Sequence, residues 1–227
     1  MREHFDNQLN KLRDDILTMG SVVEEELRLA LEAAKNLDFS LAHKVQAIDK
    51  TVNEKRFTIE EECTTIICTQ QPTARDLRAV IAVMNMIVDL ERMGDQAKGV
   101  AKAVLHMENN PSQKQPPELK EMGSIVSSML RQTMTAYANR DIELAEQISE
   151  RDDEVDELYH QLFARIMVRM AQSESADKCE TNYEFLRMAR ELERFGDLVT
   201  NVAERIVYIT TGLMQETNID FKQKVPA

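Results

Sequence analysis

The chain carries a copy of itself, and this constrains its fold more than any single motif. Met19, Gly20 and Ser21 recur as Met122, Gly123 and Ser124, an offset of 103 residues. At the same offset Val23 meets Val126, Leu27 meets Leu130, Arg28 meets Arg131, Ala33 meets Ala136 and Asn36 meets Asn139. Asp38, Leu41 and Ala42 then fall on Asp141, Leu144 and Ala145, and Asp49, Val52 and Glu54 on Asp152, Val155 and Glu157. Further on the offset becomes 102: Leu90, Glu91, Arg92, Gly94 and Asp95 fall on Leu192, Glu193, Arg194, Gly196 and Asp197, and Val100 and Ala101 on Val202 and Ala203. A one-residue length difference therefore separates the two matched blocks. A loop tolerates such a change best, which places it near 63–77 in one copy and 166–180 in the other.

Each copy reads as three helices. With 6 Gly and 5 Pro in 227 residues, and 30% of them charged, the chain has too few turn formers for a β-sandwich. Its 43% hydrophobic content is ample for a core. The patterning predicts helices over 4–36, 39–69 and 74–107, then over 118–139, 141–172 and 179–212. The expected organisation is a first three-helix repeat over 1–110, a linker over 111–117, a second repeat over 118–212 and a tail over 213–227. The fold class is all-α: two tandem, pseudo-symmetric three-helix bundles built from six long helices. Asp38 and Asp141 stand where a helix restarts and suit the N-cap, accepting backbone N–H bonds. Pro72, followed by Thr73 and Asp76, marks a further start, and Asn109 through Pro117 is the Pro-rich connection. Gly212 closes the last helix. Ile81, Met84, Ile87 and Val88 recur at helical spacing and read as a core stripe, and most of the 13 Met read as core filler.

The candidate chemistry lies in carboxylates. Glu91 and Asp95 are one helical turn apart on one face, and Glu193 and Asp197 repeat the arrangement. Like charges at this spacing cost about 0.2–0.5 kcal/mol on an isolated helix. A pair kept in both copies therefore points to a compensating cation. Asp152 and Asp156 have the same spacing on helix five, where helix two has Asp49 and Asn53. Facing oxygen ligands on two helices suit Mg²⁺, Mn²⁺, Ca²⁺ or iron better than zinc or copper. The competing reading is a solvated acidic face, and Arg92 and Arg194 compete as neutralising partners. Gly94 and Gly196 each cost about 1 kcal/mol of helix propensity. Their repetition argues for the close approach of another backbone or a bound ion. His160 has Phe57 as its counterpart, so the repeat gives it no support as a ligand, and a surface histidine is expected.

Several functions are disfavoured. A net charge of -12 repels phosphate backbones, which argues against nucleic acid and in favour of basic protein partners or metal cations. Cys63, Cys68 and Cys179 are odd in number and form no Cys-x-x-Cys pair, so they read as buried small apolar residues of a reducing compartment. The longest apolar stretch, Ala79 to Val88, is interrupted by Asn85 and too short to span a membrane. A cytoplasmic protein, peripheral to a membrane at most, is expected. No phosphate-binding P-loop, Gly-rich dinucleotide turn or Gly-x-Ser-x-Gly elbow is present, and no nucleophile has an obvious base, so catalysis is not expected.

The segments Gln71 to Arg78, Asp89 to Asp95 and Glu191 to Asp197, with Asn201 to Glu204, resemble the PhoU family of phosphate-signalling accessory proteins. The doubled Leu-Glu-Arg-x-Gly-Asp is the specific part, and the resemblance runs from the first helix to about Gly212. It implies two three-helix bundles related by a pseudo-twofold axis in a cytoplasmic, often dimeric protein. It also implies metal clusters held by Glu/Asp-x-x-x-Asp motifs, with Mg, Mn, Fe or Zn as divalent or trivalent ions. Such proteins restrain phosphate-starvation signalling by linking the ATPase side of a phosphate ABC transporter to a sensor histidine kinase. The motif acids carry over to Glu91, Asp95, Glu193 and Asp197, with Asp49, Asn53, Asp152 and Asp156 as companions. Asn53 opposite Asp156, and Gly99 opposite Asn201, imply that the two sites differ. A metal-dependent enzyme acting on phosphate compounds and a metal-free structural bundle are the rival readings.

Overall fold

A computed structural model describes residues 2–108 and 114–213. It holds six helices: α1 (Arg2–Asn36), α2 (Phe39–Gln70), α3 (Ala74–His106), α4 (Pro117–Asn139), α5 (Ile142–Ala171) and α6 (Ala176–Thr211). There is no strand among the described residues. α1, α2 and α3 pack pairwise into one bundle, and α4, α5 and α6 into a second. The bundles meet along α1 with α4 and along α3 with α6. Both seams join equivalent helices of the two repeats, which is what a pseudo-twofold axis requires.

The corners are built alike. Leu37 and Arg140 adopt left-handed φ values of 51° and 55°. The next residue, Asp38 or Asp141, sends its N–H back to Ala33 O or Ala136 O at 3.0 Å. This wrapped end satisfies an orphan carbonyl. The same aspartate caps the next helix, accepting from Leu41 N at 2.9 Å or Leu144 N at 3.0 Å. One residue thus stops one helix and starts another. The one-residue length difference is carried by the second helix and not, as expected, by the loop: the first repeat has a helix longer by two residues and a loop shorter by one. α2 has 32 residues and α5 has 30, while the loop before α3 spans 71–73 and the one before α6 spans 172–175.

The first seam is reciprocal. A Cβ built on Gly20 would meet the side chain of Met134, and one built on Gly123 would meet the side chain of Leu31. Leu31 and Met134 are themselves equivalent in the repeat. Each α1-type helix thus offers a glycine socket and receives a knob from its counterpart. The second seam is less symmetric, since Glu191 packs over Gly99, where the other repeat has Asn201.

Four sequence expectations shift. Ile81 is 41% exposed, whereas Val80, Val83, Met86, Ile87 and Leu90 are buried. α3 packs against α1, α2 and α6 at once, so only a narrow strip including Ile81 faces out. Pro117 belongs to α4 rather than to the linker, because proline suits the first helical position, where the missing N–H costs nothing. α6 starts at Ala176, three residues before the expected 179. Only Cys63 is buried; Cys68 is exposed and Cys179 half-buried, and all three are free thiols. Asn109 to Pro111 and the tail from 214 lie outside the described residues. No helix among the described residues is long and apolar enough to cross a membrane.

Candidate metal centres

In the first repeat, α2 and α3 bring Asp49 and Asp95 together, with an ammonium between them. Lys98 Nζ lies 2.7 Å from Asp49 Oδ2 and 2.7 Å from Asp95 Oδ1. Lys98, three residues after Asp95, reaches from the motif helix across to α2. Asn53 donates to Asp49 O at 3.0 Å and to Asp49 Oδ2 at 3.3 Å, so it supports Asp49 instead of adding an acid. Glu91 is half-buried. Its carboxyl is pushed up by burial and then by the charges of Asp95 and Asp49, against Arg56 and Arg92. Burial alone would lower the Lys98 ammonium, but its bonds to Asp49 and Asp95 outweigh that and raise it.

A fourth carboxyl lies behind these groups. Glu26 of α1 is 0% exposed, and neither of its oxygens has a hydrogen-bond partner. Burial, with the neighbouring charge of Asp49, pushes it up to about 9, so it is protonated at neutral pH. Gly94 makes room for it: a Cβ there would stand 3.0 Å from Glu26 Oε2.

In the second repeat, Asp152 of α5 is 5% exposed, and its Oδ1 comes within 2.5 Å of a Cβ built on Gly196. Glu193 pairs with Arg190 at 2.8 Å, while its Oε2 is buried without a partner. Arg190 itself packs over the Tyr159 ring at 5.7 Å. Asp156 and Asp197 are exposed. Burial, then the charge of Asp156, raises Asp197; burial, then Asp197, raises Glu193, with Arg190 opposing and Asp156 adding to the rise. Mutual repulsion of this kind marks a cluster with excess negative charge. Thr200 stands where the first repeat has Lys98 and donates to Asp197 O at 2.7 Å.

The repeated glycines thus admit carboxyl groups, where sequence reasoning expected a backbone or an ion. His160 is exposed. As the side chains stand, no three His, Cys, Asp or Glu among the described residues converge closely enough to hold a metal ion. The second cluster nonetheless has the donor chemistry of a hard-cation site, with carboxylates on two adjacent helices and an orphaned Glu193 oxygen. Two participants were missed from the sequence. Glu26 lies on the apolar stripe of α1 between Val23 and Ala30, and its counterpart is the buried Met129. Lys98 aligns with Thr200. Setting the repeats side by side would have flagged both.

The family model for the PhoU domain matches twice, over residues 16–104 and 119–206. The chain is 34% identical over 218 residues to a protein of Streptococcus pneumoniae named phosphate-specific transport system accessory protein PhoU homolog, covering 96% of this chain and 100% of that one. It is 34% identical over 208 residues to the Escherichia coli phosphate-specific transport system accessory protein PhoU, covering 92% and 86%. The crystal structure of PhoU from Pseudomonas aeruginosa superposes with a TM-score of 0.87 at 32% identity, covering 92% of this chain and 100% of that one.

Proposed function

The chain belongs to the PhoU family, and from that premise we propose that it is a metal-binding regulatory adaptor of a phosphate transport system. In this reading it acts at the cytoplasmic face, couples a phosphate ABC transporter to a sensor histidine kinase and restrains the response to phosphate starvation. It works by binding and not by turnover, and a homodimer is its expected assembly. The strongest support is the pair of Leu-Glu-Arg-x-Gly-Asp motifs within two PhoU matches, read with relatives named as accessory proteins of phosphate-specific transport.

The residues to hold a metal are Glu193, Asp197, Asp152 and Asp156, and Mg, Mn, Fe and Zn are the ions to try. A bound cation would reverse the local charge of an acidic surface, so that it could engage acidic or phosphate groups of a partner. The protein's own contribution is to hold four carboxyl groups on two packed helices, with Gly196 leaving space for Asp152.

The test is elemental analysis of the purified protein beside Glu193→Ala/Asp197→Ala, joined to a phosphate-starvation reporter in cells lacking the endogenous protein. We expect the wild type to retain divalent metal and silence the reporter in phosphate-replete medium. The variant should stay helical, lose the metal and release the reporter. Full repression by a metal-free variant would remove the cation from the mechanism. A wild type that fails to repress would remove the adaptor reading.

A further inference from the structure

We propose that the Lys98 ammonium occupies the place of the metal in the first repeat, so that metal binding is confined to the second. The inference deepens the proposed function and rests on its reading of the second cluster. The geometry is direct. Lys98 Nζ lies 2.7 Å from both Asp49 and Asp95, acids on the two helices that a cation would bridge. A hard divalent cation needs carboxylate oxygens at about 2.0–2.6 Å. It cannot share Asp49 Oδ2 and Asp95 Oδ1 with an ammonium already in hydrogen-bond contact, because two cations so close would repel each other and compete for the same oxygens. Lys98 is not a loose surface group: its side chain is 21% exposed, and that of Asp49 is 9% exposed.

The repeat supplies the control. Moving from the second copy to the first, Thr200 gives way to Lys98 and Asp156 gives way to Asn53. Both changes reduce the negative charge left for an added ion. The groups around the ammonium are Asp95 on α3, Asp49 on α2 with Asn53 bonded to it, and Glu26 on α1, on which the Lys98 charge also acts. The first repeat therefore carries an internal ion in covalent form, held whatever the metal supply. The second cluster has no lysine at that position.

The experiment is a gain of binding. The background is Glu193→Gln/Asp197→Asn, which disables the second cluster. Into it goes Lys98→Thr, the residue of the other repeat, and separately Lys98→Met, which keeps the apolar stem and removes the charge. Each protein is stripped with chelator and titrated with Mn²⁺, with helicity checked by circular dichroism. We expect the background protein to lose the wild-type Mn²⁺ site, and at least one Lys98 variant to bind Mn²⁺ about ten-fold more tightly than that background or better. Two folded Lys98 variants that bind no more Mn²⁺ than the background would overturn the proposal. So would a background protein that still binds Mn²⁺ as the wild type does, because the first repeat would then be the site despite Lys98. A wild type that binds no Mn²⁺ at all would count against the metal reading of the second repeat. The gain on replacing Lys98 would still decide the role of the lysine.

Discussion

In the first repeat the acids of α2 and α3 surround an ammonium, with a protonated Glu26 buried behind them. In the second the acids of α5 and α6 repel one another beside Gly196, and a methionine, Met129, fills the place of Glu26. The backbone devices around these clusters hardly differ. The left-handed corners, the capping aspartates and the glycine sockets occur in both copies. Parts that set helix ends and seams must be kept for either bundle to fold. The polar clusters only need to be neutral enough, and charge can be balanced by a lysine, a proton or an ion.

The core should show the likeness most strongly. Leu90 and Leu192 are equivalent, and each is at most 1% exposed. Leu90→Ala and Leu192→Ala should each cost about 2–5 kcal/mol in urea denaturation. A loss confined to one of them would break the comparison at the level of packing.

Glu26 should show the difference. Burial pushes its carboxyl from the ordinary glutamate value of 4.5 up to about 9 in the folded protein. The stability tied to its proton is thus fully present below pH 4.5 and is lost as pH rises towards 9. Glu26→Met, which copies the second repeat, should remove that slope and gain on the order of a few kcal/mol at pH 8 relative to pH 5. Denaturation curves at the two pH values check this, and an unchanged slope would mean that another group carries it. Asp49, Asp95 and Lys98 face this carboxyl and are left in place.

The caps should return to likeness at a smaller scale. Asp38→Ala and Asp141→Ala should each cost about 1 kcal/mol. Melting curves that separated the two would show that the corners are not energetically equivalent.

The fold was largely legible because duplication turns one pattern into two independent readings of it. The caps at Asp38 and Asp141 and the stop at Gly212 follow from chain-local chemistry, whereas the extra residue of the first repeat falls in its longer second helix and not in the loop where it was expected. Ile81 was misread because periodicity locates an apolar stripe without saying how many neighbours a helix has, and α3 has three. The motif acids were visible as a spacing. Their partners were not, because Glu26 and Lys98 come to the cluster from another helix and from a later turn. A lone acid within an apolar stripe becomes informative only beside its aligned Met129.

The reciprocal sockets at Gly20 and Gly123 have a consequence for how such a chain can arise. A surface that offers a socket and a matching knob about a twofold axis is complementary to itself. A single three-helix repeat with that surface would pair with a second copy through the contact now made within one chain. Joining the two copies turns their association from a concentration-dependent event into an intramolecular one. Once tied together, the halves no longer need identical interiors. One can give up its ion for a lysine while the other keeps its carboxylates, a division of labour that an assembly of identical subunits could not make.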